Sequence, residues 1–189
     1  MNAIESIMNR KSVRAYKPEQ IDGDTLQTIL HAGMAAPVAS GAYDTLHITV
    51  VQDQNLFSAI DAGVSELLFT MLGKKIDKTF GAPTMVFISS KAAKIPGLEY
   101  ANAACVLENM AIAATGLGVG SIIWGGAAMA VAQSARLTER LEIPEGYKPI
   151  LCISLGYAKE EEPPKKHQIK MNEVISIKTD AAPNLKQGV

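Results

Sequence analysis

The chain has 189 residues, 48% of them hydrophobic, with 18 Lys and Arg against 19 Asp and Glu. That much apolar material buries one sizeable core and fits a single domain or one intertwined protomer, with no call for a second domain. A formal net charge of -1 gives no general attraction to nucleic acid or to an anionic membrane, so the positive charge that matters is local.

In chain order, residues 2–9 carry Ile4, Ile7 and Met8 at helical spacing, with no basic run followed by an apolar stretch of the kind an export signal needs. The predicted helix runs into Met8-Asn9-Arg10-Lys11-Ser12-Val13-Arg14, where three fixed cations and a hydroxyl stand within a few residues. Such a cluster suits an anion: Arg binds phosphate oxygens as a fork, Lys adds a point charge, and a small hydroxyl fits between the oxygens. A solvated basic turn has the same composition, so the cluster gains meaning only from the segments that follow.

Asp24-Thr25-Leu26-Gln27 resembles a capping box and predicts a helix with Leu26, Ile29, Leu30 and Met34 on one face, closed by Gly33 and Pro37. His47 to Val51 reads as a strand, an amphipathic helix follows from about Asn55 to Leu72, and Thr84 to Ser90 is a second strand behind the breaker Gly81-Ala82-Pro83. Leu98 to Thr115 has only Glu99 and Glu108 as charges, which predicts a central helix buried on most of its circumference. Gly116-Leu117-Gly118-Val119-Gly120 ends it, Ile122-Ile123-Trp124-Gly125-Gly126 extends, and an Ala-rich helical stretch precedes the last strong strand, Lys148 to Leu155. The charged, Pro-rich run from Lys159 to Lys166 reads as a surface connection, and the tail beyond it has one apolar patch, Val174-Ile175-Ser176-Ile177.

Several chemistries find no support. The Gly-x-Gly-x-Gly run follows a predicted helix, whereas a dinucleotide fingerprint follows a strand and opens a helix, so a helix C-cap at Gly116 explains it as well. His31, His47 and His167 lack partners at metal spacing, no Gly-x-Ser-x-Gly elbow occurs, and no metal is expected. Cys105 and Cys152 sit in apolar sequence without CxxC spacing and read as small buried hydrophobes in a reducing compartment. No apolar run reaches membrane-spanning length uninterrupted, and a cytoplasmic location is expected. Gly125-Gly126 is more suggestive, since a backbone without side chains lets a flat ligand approach main-chain N–H groups.

Together these segments resemble the nitroreductase family of FMN-dependent NAD(P)H oxidoreductases, from about residue 4 to residue 167, leaving 168–189 as a C-terminal tail. Arg10, Ser12 and Arg14 match the family's Arg-x-Ser-x-Arg/Lys signature. By that match Arg10 and Ser12 face the FMN phosphate and ribityl chain, Lys11 touches them too, and Arg14 lies near the flavin pyrimidine. Ala36-Pro37-Val38-Ala39-Ser40-Gly41-Ala42-Tyr43 resembles the segment that reaches the partner subunit's flavin. It implies cofactor contacts from Pro37, Val38 and Ala39 and a substrate contact from Tyr43; Val38 stands for the family's Ser, Gly41 for its Asn and Tyr43 for its Gln. Glu108-Asn109-Met110 through Gly118 resembles the central-helix signature, which sets Trp124, Gly125 and Gly126 on the loop meeting the flavin O4 and N5 edge. Lys165 matches a phosphate-binding Lys, His167 stands for the usual closing Arg, and Lys78 matches a Lys facing the pyrimidine.

The resemblance implies an α+β three-layer fold, a mainly antiparallel sheet flanked by helices, and an intertwined homodimer with two FMN sites at its interface. It implies ping-pong reduction of a nitroaromatic or quinone by NADH or NADPH, with no catalytic residue in the protein because the flavin carries the hydride. Dehalogenation, enoate reduction or dehydrogenation on the same scaffold, and flavin binding without turnover, are the alternatives.

Overall fold

The computed structural model describes residues 1–73 and 80–160. Its elements follow in the order α1 (Ala3–Asn9), α2 (Gly23–Met34), two single 3-10 turns (Ala39–Gly41 and Tyr43–Thr45), β1 (Leu46–Val51), α3 (Gln54–Leu72), β2 (Thr84–Ser90), α4 (Leu98–Gly116), β3 (Gly120–Trp124), α5 (Gly126–Ala132), α6 (Ala135–Arg140) and β4 (Lys148–Gly156).

The four strands form one antiparallel sheet in the order β1-β2-β4-β3. All seven residues of β2 are buried, because both faces of this central strand are covered. Side chains alternate across a strand. Val86 and Ile88 of β2, with Ile153 and Leu155 of β4, therefore join α2 and α4 in one core, while Met85, Phe87 and Cys152 join α3, α5 and α6 in another on the opposite face. The result is helices, sheet, helices: the expected three layers. Phe87 has no exposed surface, and burial of such a side chain contributes about 1.5–3 kcal/mol.

Local sequence explains most element ends, with some corrections. The cap of α2 is Asp22, not Asp24: Asp22 is extended, and its carboxylate accepts from the Thr25 N–H at 2.8 Å and the Thr25 hydroxyl at 2.7 Å. Gly33 does not stop the helix; it lies inside it against Met110 of α4, so close that a β-carbon would meet the methionine methyl at 2.4 Å. Met34, expected on the buried face, is exposed. At the end of α4 the left-handed residue is Gly118 (φ 76) rather than Gly116. The Val119 N–H reaches the Ala114 carbonyl at 2.8 Å and the Gly118 N–H the Thr115 carbonyl at 3.1 Å, the paired bonds of a Schellman close.

Helix α4 buries Asn102, Ala103, Val106, Leu107, Met110, Ala111 and Ala114, but Ala101, Ala104 and Cys105 stay exposed in the single chain. The expectation of a buried Cys105 therefore fails for the protomer, since the thiol sits on the helix stripe turned away from the core. Cys152 is fully buried, its thiol donates to the Trp124 carbonyl at 3.3 Å, and burial pushes its pKa well up. Ile4, Ile7 and Met8 also point outward, and the buried residue of α1 is Ser6. Among the described residues α3 is the one helix long and apolar enough to cross a membrane; its Leu56, Phe57, Ile60, Val64 and Leu67 pack into the second core.

Candidate functional site

The basic segment is laid across the end of the sheet. A capping box between Asn2 and Glu5 starts α1, and the chain leaves helical geometry at Arg10 (φ -57, ψ 127). Ser12 then bridges Ser121 of β3 in parallel, and Tyr16 bridges Ala158. The Val13 N–H donates to the Ser121 carbonyl at 2.9 Å and the Lys17 N–H to the Tyr157 carbonyl at 2.8 Å, while the Lys159 N–H donates to the Ala15 carbonyl at 2.9 Å. Buried Val13 and Tyr16 anchor the segment, and Ser12 and Arg14 on either side of Val13 are exposed. The alternation of an extended chain thus puts Ser12 and Arg14 on one side and Val13 on the other.

A cavity of about 440 Å³ opens along this segment, lined by Lys11, Ser12, Arg14, Ala158 and Glu160 among others. A neighbouring one of about 370 Å³ takes in Lys11, Asn9, Thr115, Gly120 and Ser121. Arg10 reaches Glu108 of α4, Nε to Oε1 3.5 Å, with both side chains partly exposed. A solvent-facing pair of this kind is worth at most about 1 kcal/mol, so it orients the guanidinium without locking it. Burial holds the Tyr16 phenol well above its ordinary range, with the charge of Arg14 pulling weakly the other way.

Trp124 ends the same strand that Ser12 meets, and Gly125 and Gly126 open α5. Gly125 is four positions beyond Ser121, about 13 Å at the rise of a strand. The Trp124 indole N–H donates to the Ser154 hydroxyl at 3.0 Å, and the Phe80 ring stands edge-on to the indole with centroids 5.4 Å apart. A small cluster of Val13, Tyr16, Ala82 and Ile122, with Phe80 and Trp124 packed against it, joins the basic segment to this end of β3. Among the described residues nothing packed against the glycine pair requires glycine. Gly125 has φ -94, a β-carbon there would make only an ordinary contact with Leu151 at 3.7 Å, and one at Gly126 would meet Trp124 no closer than 3.4 Å.

The loop with Pro37, Val38, Ala39 and Tyr43 is not brought to the basic segment. It leads into β1, and the strand order sets β1 and β3 at opposite edges, three strand spacings or about 14 Å apart. The Ala39 N–H donates to the Asn102 side chain of α4 at 3.0 Å, and the Tyr147 hydroxyl holds the Asp44 carbonyl at 2.6 Å. Val38 is buried and Tyr43 exposed. Lys78, Lys165 and His167 lie outside the described residues. Sequence reasoning missed Asn102, Tyr16 and Ser154, whose partners are remote in the chain.

A family model described as the Nitroreductase family matches residues 7–157. The chain belongs to the nitroreductase family. A candidate NADH dehydrogenase/NAD(P)H nitroreductase of Archaeoglobus fulgidus is 31% identical over 159 residues, which cover 84% of this chain and 86% of that protein. Among solved structures, a nitroreductase of Bacteroides fragilis with bound FMN is 27% identical with a TM-score of 0.81, over 94% of this chain and all of that one. A nitroreductase of Desulfitobacterium hafniense, also with bound FMN, is 26% identical with a TM-score of 0.77, over 93% of this chain and all of that one. The nitroreductase fold is therefore that of this chain, and the three layers and antiparallel sheet agree with it.

Proposed function

We propose that this protein is an FMN-dependent oxidoreductase that uses NADH or NADPH to reduce a small electron-poor acceptor, a nitroaromatic or quinone, by a ping-pong cycle in a homodimer. The observation that carries the reading is the placement of both ends of a flavin-sized site on one strand. A cation- and hydroxyl-lined cavity lies where β3 begins, and a glycine pair that packing among the described residues does not require lies where it ends. The names of similar proteins, and the FMN bound in two of the solved neighbours, support the same cofactor and reductant.

Bound FMN would supply the electron chemistry, taking a hydride from the nicotinamide and giving electrons to the acceptor. The side chains of this protein would bind and orient. Arg10 and Ser12 hold the phosphate through charge-assisted bonds, with Lys11 beside them. Arg14 sets positive charge where the reduced ring gathers negative charge, which favours reduction. The backbone N–H groups around Gly125 and Gly126 fix the edge of the ring, because no β-carbon keeps it away. No side chain is needed as acid or base, and water supplies protons to the product.

Two features support a dimer. The Pro37–Tyr43 loop leads into one edge of the sheet and the basic segment lies on the other, so within one chain the loop is not brought to the basic segment, which favours a loop supplied by a second copy. An apolar stripe of α4 with Ala101, Ala104 and Cys105, and the outward Ile4 and Met8 of α1, also remain uncovered in one chain. The test is the absorbance spectrum of purified protein supplied with FMN, followed by NADH oxidation with menadione. Flavin bands that stay with the protein and menadione-dependent turnover are expected; a protein that takes up no FMN overturns the reading.

A further inference from the structure

Ser154 is hydrogen-bonded to a residue at each end of this site, Tyr16 and Trp124, and it belongs to no signature in the sequence. It lies in β4 with no exposed surface, opposite Ile122 of β3 on one side and Met85 of β2 on the other. Its hydroxyl accepts from the Trp124 indole N–H at 3.0 Å, and its carbonyl accepts from the Tyr16 hydroxyl at 3.4 Å. Trp124 immediately precedes Gly125-Gly126, and Tyr16 is two residues beyond Arg14. One residue of a central strand therefore sets where the indole points and helps set where the cationic segment lies.

The indole needs that setting. It is only half-buried, at the last residue of β3, and its aromatic neighbour among the described residues is Phe80, which itself adopts the left-handed region (φ 63) that a bulky residue rarely occupies. Strained backbone persists where surrounding contacts over-determine it, and edge-on packing on Trp124 is such a contact. If the Ser154 bond were lost, the indole N–H would seek water. The ring would then turn about its side-chain bonds, and both the Phe80 contact and the path of the chain into Gly125 would follow.

We propose that Ser154 is a positioning residue. Through the Trp124 indole it fixes the approach of the Gly125-Gly126 backbone to the flavin edge and so governs hydride transfer rather than phosphate binding. This rests on the flavin reading, and the experiment keeps the two apart. Wild-type protein is first titrated with FMN and reduced with NADH in a stopped-flow instrument, which tests the reading alone. Ser154→Ala, Trp124→Phe and the double variant are then compared with it.

Trp124 is the only tryptophan in the chain, so selectively excited tryptophan fluorescence reports it alone. In flavin-free Ser154→Ala the Trp124 signal should shift, and quenching by added FMN should weaken. Hydride transfer should slow about tenfold, the rate equivalent of one lost buried hydrogen bond, while FMN affinity changes by less than about threefold. Each single variant should slow transfer, and the double variant should be no slower than the worse single one, since both remove the same bond. A merely structural role would lower the melting temperature and leave the transfer rate and the Trp124 signal as they were. That result in Ser154→Ala, or additive slowing in the double variant, overturns the proposal even when the wild type proves to be a flavin enzyme.

Discussion

Gly156 and Pro83 touch so closely that no side chain fits between them: a β-carbon on Gly156 would stand 2.6 Å from Pro83 Cδ, and 3.1 Å from Tyr16 Cδ1. Gly156 also pairs with Gly120 across the sheet, and a β-carbon there would come 2.9 Å from Val13 Cγ2. These two glycines let the basic segment lie flat against the ends of β3 and β4.

The contact makes a prediction in two halves. Gly156→Val should cost about 1–3 kcal/mol through overpacking, and should weaken FMN binding by displacing residues 12–16. Gly125→Ala faces only the ordinary 3.7 Å contact, so its stability should stay within about 0.5 kcal/mol of wild type while flavin binding or reduction suffers. Urea unfolding and FMN titration on both variants decide it. Equal stability losses would mean that Gly125 is held by packing, and an Ala variant with intact flavin chemistry would take the glycine pair out of the site.

The same glycines show what the sequence can and cannot reveal. Gly116-Leu117-Gly118-Val119-Gly120 reads as one motif, yet Gly118 serves a left-handed helix close and Gly120 a close approach to Val13, while Gly116 needs no positive φ. Helix α3 was legible from its apolar period and β2 from an apolar run behind a breaker, and α4 from its near lack of charge, whereas α1 is a helix as read but turns its apolar residues outward. Ser12 and Arg14 read as part of a signature, but the extended segment anchored by Val13 that displays both was not legible. The Tyr16–Ser154 and Ala39–Asn102 bonds join residues 138 and 63 positions apart, and no local pattern announces them. The stripe of α4 that holds Cys105 looked buried for a related reason: an apolar face reads the same whether its own chain or a second copy covers it.

That stripe gives the second prediction. In the isolated chain Cys105 is exposed, but in the proposed dimer the α4 stripe should be covered. A thiol reagent should therefore label Cys105 slowly in native protein and fast after denaturation, and sedimentation should report twice the chain mass. Ala104→Glu should produce a monomer in which Cys105 labels quickly. Fast labelling of native wild-type protein sedimenting as a monomer would remove the dimer.

Arg10→Ala removes a charge-assisted contact worth about 1.5–3 kcal/mol, so FMN affinity should fall about ten- to a hundredfold. The partly exposed Glu108 pair given up with it is worth at most about 1 kcal/mol. Isothermal titration with FMN beside a melting curve measures both. Unchanged affinity in a folded variant would move the phosphate elsewhere.

Tyr16 and Cys152 predict the alkaline limit of stability. Burial is the larger cause of both shifts and raises both pKa values in the folded state. A group whose folded pKa lies above its unfolded value contributes stability that is complete below the unfolded pKa and is lost as pH rises toward the folded one. The unfolded values are about 8.5 for Cys and about 10 for Tyr. The free energy of unfolding should therefore be flat with respect to these two groups near neutrality and fall steadily from about pH 9 upward. Tyr16→Phe should lose some stability at pH 7, through its bond to the Ser154 carbonyl, but should decline less steeply above about pH 10 because one of the two groups no longer titrates. Parallel alkaline slopes for Tyr16→Phe and wild type in urea titrations from pH 7 to 11 would show that Tyr16 is not shielded in solution as it is in the fold.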